Sequence, residues 1–304
     1  MRALAVFAHY FKPEAKADYS STNNDRREVR RASIERVLLG WRAHFGESAI
    51  LNVENRSFEL APPCADTLDL VVVVNREDHL LDDALLQRCG ASKVAFDLEQ
   101  PRHLPFMAQR VMADRKAHYD WLVYSEEDLL PHDPSLFAKL AAFQSQFGPR
   151  RVLLPHRYEI NGAALRPKTY IDGDLRFGLM TRLFGLVEES QTILTHRDSG
   201  GVLKFVRAQN PHSGFFALTA GQFEAWSRLP HFLDMDCSFI SPLESAATLG
   251  LLKTFSVFKP ALPLHYLEIE HLDVKFSGMQ LPLLLRGEIG AGLRQSQTGE
   301  PGAI

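Results

Sequence analysis

Cysteine is scarce in this chain of 304 residues: only Cys64, Cys89 and Cys237 occur, odd in number and far apart. They show neither zinc-ligand spacing nor a disulfide framework, which points to a reducing compartment. Long apolar runs are also lacking. No window approaches the roughly 20 apolar residues of a membrane span, and the apolar stretch at residues 3–8 is too short for a signal peptide. No transmembrane segment is expected, and the cytoplasm is the expected location. There is no excess of basic charge either: the formal net charge of −3 weighs against a nucleic-acid partner. The local exception is residues 25–36, with five arginines, which either line an anionic-ligand cleft or solvate a helix face. Glycine-rich phosphate loops are absent, since Gly200-Gly201 is only a pair and follows no clear strand.

What the chain does contain is enough apolar residue, 45%, to bury a large core without staples. Residues 2–8 read as a buried strand, 12–24 as a polar loop, and 26–45 as a helix with Val29, Ile34, Val37, Leu38 and Trp41 on its apolar stripe. Strands are expected at 48–53, 68–74 and 93–96, with helices at 79–89 and from Leu104 toward Asp120. The run of β-branched residues at 68–74 fits a strand covered on both faces. A strand at 121–124, a helix at 134–147 and a strand at 151–154 follow. The order is that of an α/β fold with a mostly parallel twisted sheet and helices on both faces. Residues 155–205 lose periodicity and read as a long functional insertion, with a short helix near 179–188. Later elements are a strand at 214–218, helices to Trp226 and over 242–251, and a short strand at 254–257. The division expected is one domain over 1–290, with halves 1–130 and 131–290, and a flexible tail at 291–304.

Residues 119–128 (YDWLVYSEED) are the most informative stretch. A short apolar strand ends in Glu126, Glu127 and Asp128, and three carboxylates cannot be desolvated without partners. They are therefore expected where the strand leaves the sheet, at the carboxyl-end crevice where open α/β sheets bind ligands. Packed carboxylates repel one another unless a divalent cation or a basic ligand neutralises them. Asp133, ahead of Pro134, suffices as a helix cap, which leaves the three acids without a structural task.

These features resemble the nucleotide-sugar glycosyltransferases of the GT-A fold, family 2-like or a related bacterial family. The likeness rests on the strand into Glu126-Glu127-Asp128, similar to that fold's acidic motif, and on residues 210–219 (NPHSGFFALT), similar to the strand bordering the acceptor. It rests further on the region of Glu244 and on a C-terminal histidine, His265 or His271, after a strand. It implies a Mn²⁺ or Mg²⁺ cofactor, a nucleotide-sugar donor and an unknown acceptor. Asp128 is then the expected direct metal ligand, with Glu126 and His271 or His265 around it. Glu126 also meets the donor, Glu127 assists through water, and His9, Tyr10, Phe11, Asn75 and Arg76 line the nucleotide. An aromatic there either stacks on the base or belongs to the core, and Arg76 pairs with the diphosphate or with Asp78. Arg157, Lys168, His212, Ser213 and Gly214 fall on the acceptor side.

The expected base for the acceptor hydroxyl is Glu244, with Asp236 as second choice and Asp234 beside it. Glu244 otherwise serves as a first-turn acid of its helix. The central acid, Glu127, departs from the commoner Asp. Competing readings are a non-catalytic binding protein of the same fold and a nucleotidyltransferase. Against the latter stands the absence of glycine in His9-Tyr10-Phe11-Lys12-Pro13. Donor sugar, base, stereochemical course and oligomeric state stay open at this level.

Overall fold

Alternation in the first strand sets up the whole architecture. The computed structural model describes residues 1–13, 23–175, 186–198 and 201–285. In β1 (Arg2–Ala8), Ala3, Ala5 and Phe7 join one apolar cluster and Leu4, Val6 and Ala8 join another. A strand buried on both faces needs a helical layer on each. On the first face lies α1 (Arg27–Phe45), presenting Ile34, Val37, Leu38, Trp41 and Phe45 at three- and four-residue spacing. Val29, expected on that stripe, is exposed because it is five residues from Ile34 and out of phase. On the second face lies α3 (Leu104–Arg115), with Leu104, Ala108, Val111 and Met112 inward.

Between α1 and α3 the chain runs through β2 (Ser48–Asn52), β3 (Ser57–Ala61), β4 (Thr67–Asn75), α2 (Asp83–Cys89) and β5 (Ala91–Phe96). The helix α2 starts four residues later than the sequence suggested. Asp82 is the reason, since its Oδ1 accepts the Leu85 N–H at 2.8 Å and caps the first turn. After α3 come β6 (Trp121–Glu126), β7 (Leu129–Leu130), α4 (Leu136–Phe147), β8 (Arg151–Leu153), β9 (His156–Ile160) and β10 (Lys168–Tyr170). Then follow β11 (Ile193–Asp198), β12 (Gly201–Arg207), β13 (Phe215–Thr219), α5 (Ala220–Ser227), α6 (Pro242–Leu252), β14 (Ser256–Leu262), β15 (Glu268–His271) and α7 (Gln280–Leu285).

The central sheet has the order β13-β6-β1-β4-β5. Its neighbours are parallel except β13, which runs antiparallel to β6. Two four-stranded sheets flank it, β10-β9-β15-β7 and β11-β12-β14-β8, each containing one parallel pair. The molecule is thus mixed α/β with parallel-containing sheets, and no described helix is long and apolar enough to cross a membrane.

Two expectations are corrected. Residues 155–205, expected as an aperiodic insertion, contain β9, β10 and β11, and β12 spans their end. These strands are short or half-exposed, so their side chains alternate too weakly to show periodicity in sequence. The strand expected at 48–53 does not enter the main sheet; β2 pairs only with β3, as a separate two-stranded ribbon. The expected helix near 179–188 falls mostly outside the described residues, and the tail at 291–304 lies wholly outside them.

Candidate active site

The sheet junction assembles the acids. Glu126 is the last residue of β6, in register with Ala8 of β1. Within three residues the chain has left the central sheet and entered β7, whose Leu129 pairs with His271 of β15. The turn Glu126–Asp128 therefore bridges two sheets, at the carboxyl ends of β1 and β6, where such sheets open a crevice. The backbone N–H of Leu272 donates to the Asp128 carbonyl at 2.8 Å and fixes the turn against β15.

The three acids have three different environments. Glu127 is buried and takes close contacts from His9 Nδ1 and the Arg30 guanidinium. The Leu80 N–H donates to His9 Nε2 at 3.0 Å, so the ring proton sits on Nδ1 and is donated to Glu127. Burial first, then the Arg30 charge, push the His9 pKa down to about 3, consistent with a neutral ring. His9 and Glu127, both expected at the donor, are here joined in a buried clamp that ties β1 to the acidic turn.

Glu126 is buried as well, and its Oε1 has no hydrogen-bond partner among the described residues. Arg157 Nη1 and His212 Nε2 each stand 3.9 Å from its carboxylate, beyond hydrogen-bond reach. Burial raises its pKa to about 8; Arg157 opposes the rise, while Asp128 and Glu244 add to it. Desolvation, which the sequence reading expected to drive all three acids outward, is met in Glu126 by stabilising the protonated form.

Asp128 is partly exposed. Its Oδ2 lies 3.6 Å from His271 Nε2, and its Oδ1 is buried without a hydrogen-bond partner among the described residues. The other ring nitrogen of His271 meets Glu159 Oε1 at 3.1 Å. Glu159 is itself held by the N–H groups of Lys275, Phe276 and Ser277. Burial works to lower the His271 pKa, but Asp128 and Glu159 outweigh it and the net direction is up.

A charged network supports this floor. Asp172 is fully buried and accepts from the Arg157 N–H and Nε, both at 2.9 Å, and from Lys259 Nζ at 2.8 Å. Lys259 also donates to the His212 carbonyl at 2.6 Å. Burial would raise the Asp172 pKa; Lys259 and Arg157 win and hold it far below the usual carboxylate range. Gly214 adopts φ +61°, and a Cβ there would lie 2.5 Å from Glu126 Oε2 and 2.8 Å from Leu129 Cδ1. Only glycine lets the strand β13 close on this carboxylate, and the Gly214 carbonyl accepts the Glu126 N–H at 2.8 Å. Glu244, in the first turn of α6, has an Oε2 without a hydrogen-bond partner among the described residues. Burial chiefly raises its pKa.

The remaining expected residues are placed elsewhere or have structural partners. Phe11 is a core residue, with the Arg27 guanidinium 5.6 Å from its ring centroid. Tyr10 is half-buried beside it. Asn75 is buried and accepts the Leu98 N–H at 2.8 Å. Arg76 pairs with Asp97, not Asp78. Ser213 Oγ donates to the Phe215 carbonyl at 2.8 Å. Lys168 bonds Glu268 at 2.6 Å and sits over the Tyr158 ring. His265 is exposed on the turn Leu264–Tyr266, and the strand pairing brings His271 rather than His265 to the acids. Asp236 bonds Lys253, at the far end of α6 from Glu244, and its pKa falls to about 2: burial opposes the fall, and Lys253 and Ser238 outweigh it. Glu159 and Lys259 went unrecognised in the sequence. Lys259 interrupts the apolar run of β14, and a charge in that setting signals a buried partner, whereas Glu159 lies in the polar strand His156–Ile160 and gives no such signal.

Among the described residues, no group of three or more His, Cys, Asp and Glu is arranged to hold a metal ion. Asp128 and His271 nevertheless offer an unpartnered oxygen and a ring nitrogen at one edge of the crevice, an N/O donor set of the kind divalent ions accept.

No family model matches the chain, and no curated protein matches it in sequence. Solved structures similar to it include GalNAc-T7 with UDP, GalNAc and Mn²⁺, at 13% identity and a TM-score of 0.43. That match covers 89% of this chain and 43% of the other, so the chain spans less than half of that protein. Glucosyl-3-phosphoglycerate synthase from Mycobacterium tuberculosis, in complex with Mn²⁺, UDP and glucosyl-3-phosphoglycerate, matches at 15% identity, a TM-score of 0.39 and coverage of 99% and 81%. Mannose-1-phosphate geranyltransferase from Thermus thermophilus matches at 12% identity, a TM-score of 0.39 and coverage of 86% and 74%.

Proposed function

We propose that this chain is a GT-A-like glycosyltransferase that moves a sugar from a nucleoside-diphosphate sugar to an acceptor hydroxyl, residues 1–290 acting as one domain. The observation that carries the reading is the convergence of three carboxylate oxygens, on Glu126, Asp128 and Glu244, that have no hydrogen-bond partner among the described residues. A fold that leaves several buried acceptors unsatisfied in one place has reserved them for a ligand. The bland alternative, a solvated acidic turn, fails because Glu126 and Glu127 are buried.

Asp128 and His271 are the residues that would hold Mn²⁺ or Mg²⁺. Such an ion supplies Lewis-acid stabilisation of the charge on a departing diphosphate. The chain's own groups do the rest. Glu159 orients the His271 ring through Nδ1. Arg157, fixed by Asp172, places positive charge beside Glu126. Glu126, whose pKa burial pushes up, stands where its carboxyl can hydrogen-bond a donor hydroxyl. Glu244 accepts the acceptor's proton as its oxygen bonds the anomeric carbon; the bond to the diphosphate breaks and the electron pair leaves with it. A carboxylate whose pKa is raised by burial is better matched to that task than Asp236, which is held low.

The test is calorimetric titration of UDP and other nucleoside diphosphates with and without Mn²⁺, on the wild type, Asp128→Ala and Glu244→Gln. Metal-dependent binding lost in Asp128→Ala but kept in Glu244→Gln supports the assignment. Equal affinity in wild type and Asp128→Ala overturns it. Binding without hydrolysis or transfer of any nucleotide-sugar favours the non-catalytic reading.

A further inference from the structure

His212 is buried at the acidic centre and has no task in the transfer step. It is 3% exposed, and its Nε2 has no hydrogen-bond partner among the described residues. Its Nδ1 meets the Gly214 N–H and the Thr248 hydroxyl, both at 3.4 Å. A backbone N–H only donates, so Nδ1 is the accepting nitrogen and the ring proton sits on Nε2. Across from Nε2, at 3.9 Å, stands Glu126 Oε1, buried and likewise without a hydrogen-bond partner among the described residues. Two polar atoms thus face each other across a gap too wide for a hydrogen bond.

The gap is held open from both sides. The His212 N–H donates to Asn210 Oδ1 at 3.1 Å, and Lys259 Nζ donates to the His212 carbonyl at 2.6 Å. Opposite, the Glu126 N–H donates to the Gly214 carbonyl at 2.8 Å, and Oε2 is pressed so close to Gly214 that a Cβ there would stand 2.5 Å away. The two oxygens of Glu126 therefore have separate surroundings: Oε2 faces Gly214 and Arg157 Nη1, whereas Oε1 faces His212. Leaving two buried polar atoms unpaired costs stability, and setting them opposite each other suits one group that satisfies both. A hydroxyl is such a group. Its oxygen accepts from Nε2–H, and it donates to Glu126 as carboxylate or accepts from it as carboxylic acid. An oxygen about 2.8 Å from each atom spans the separation.

We propose that His212 is a specificity-determining residue that binds, together with Glu126, one hydroxyl of the transferred sugar. The assignment rests on the glycosyltransferase reading. Its test is calorimetric titration, with Mn²⁺, of UDP, GDP, UDP-glucose, UDP-galactose and GDP-mannose, and of singly deoxygenated analogues of whichever conjugate binds. The proteins are the wild type, His212→Leu and His212→Gln, with urea titration as the check on folding. His212→Leu binds the nucleoside diphosphate as the wild type does, but binds its sugar conjugate about 10–100-fold more weakly. The analogue lacking the hydroxyl in question is weakened on the wild type by a similar factor and no further on His212→Leu, the coupling of two groups in contact. His212→Gln, whose amide donates in place of Nε2, keeps part of the affinity. His212→Asn, shorter and polar, carries the same comparison if His212→Leu does not fold. A deficit equal for the diphosphate and its conjugate, or additive with every deoxygenation, overturns the assignment and leaves His212 a packing residue. A wild type that binds none of the conjugates overturns the glycosyltransferase reading and the assignment with it.

Discussion

Replacing Asp172 by Asn isolates the network beneath the crevice. The Asp172 side chain is completely buried and accepts three hydrogen bonds, two from Arg157 and one from Lys259, all within 2.9 Å. Lys259 is itself 3% exposed and, besides the His212 carbonyl, faces only a neutral amide at 172 once the carboxylate charge is gone. Breaking a buried pair by removing one partner leaves an uncompensated charge and costs about 3–5 kcal/mol. In a domain of this size each kcal/mol moves the midpoint by roughly 2–4 °C, so Asp172→Asn should melt roughly 6–20 °C below the wild type. Asp172 has a lowered folded pKa, so its contribution is full above its ordinary range and is lost as pH falls through the lowered value. The gap between wild type and variant should accordingly be constant around neutrality and close only in strong acid. Urea titration followed by tryptophan fluorescence measures it. Asp172→Asn/Lys259→Met should recover part of the loss, because the second change removes one of the two buried cations that Asp172 neutralised. A loss below about 1 kcal/mol, or a double variant as unstable as the single one, would refute the network argument.

Gly214→Ala should cost about 2–4 kcal/mol from the positive φ and the approach to Glu126, and weaken donor binding beyond its effect on stability; an unchanged urea midpoint would count against the close approach. Glu127→Gln should destabilise by roughly 3 kcal/mol by leaving Arg30 opposite a neutral amide, measured by the same titration. Glu189, bonded by Arg151 at 2.8 and 2.9 Å, has its pKa lowered to about 2, chiefly by that arginine. Its advantage over Glu189→Gln, about 1 kcal/mol after solvent screening, should hold above pH 5 and fade as pH falls from about 4.5 toward 2. An advantage that persists at pH 2 contradicts the pairing.

Much of the frame was legible because its signals are local. The apolar runs Ala3–Ala8 and Leu70–Val74 announce strands covered on both faces, and the α1 stripe follows from helical spacing. Gly90 marks the end of α2 by chemistry that needs no tertiary context, whereas the cap at Asp82 that starts it went unread. The short strands β9 to β12 were missed because pairing with distant partners, such as β15 and β14, stabilises them rather than their own side-chain pattern. The strand at 48–53 is visible in the sequence but its partner β3 is not, because a strand's own residues do not say which neighbour it pairs with.

The candidate site divides along the same line. Residue type and position marked Glu126 and Asp128 as acids at a strand end, while Glu244 and His271 were singled out by the resemblance to the GT-A fold. Which acid is spent on structure is a tertiary matter. Glu127 meets His9 and Arg30 across more than ninety residues of chain, and only that clamp turns the central acid of the turn into a fixture. Likewise Lys168, His265 and Asp236 have the right chemistry, but the strand register and nearby counter-charges commit them elsewhere. A sequence fixes which groups can carry charge and which faces must be buried. Whether a given carboxylate is paired or left open depends on the low-dielectric neighbours that long-range packing brings within a few ångströms, and that was decided by the tertiary structure.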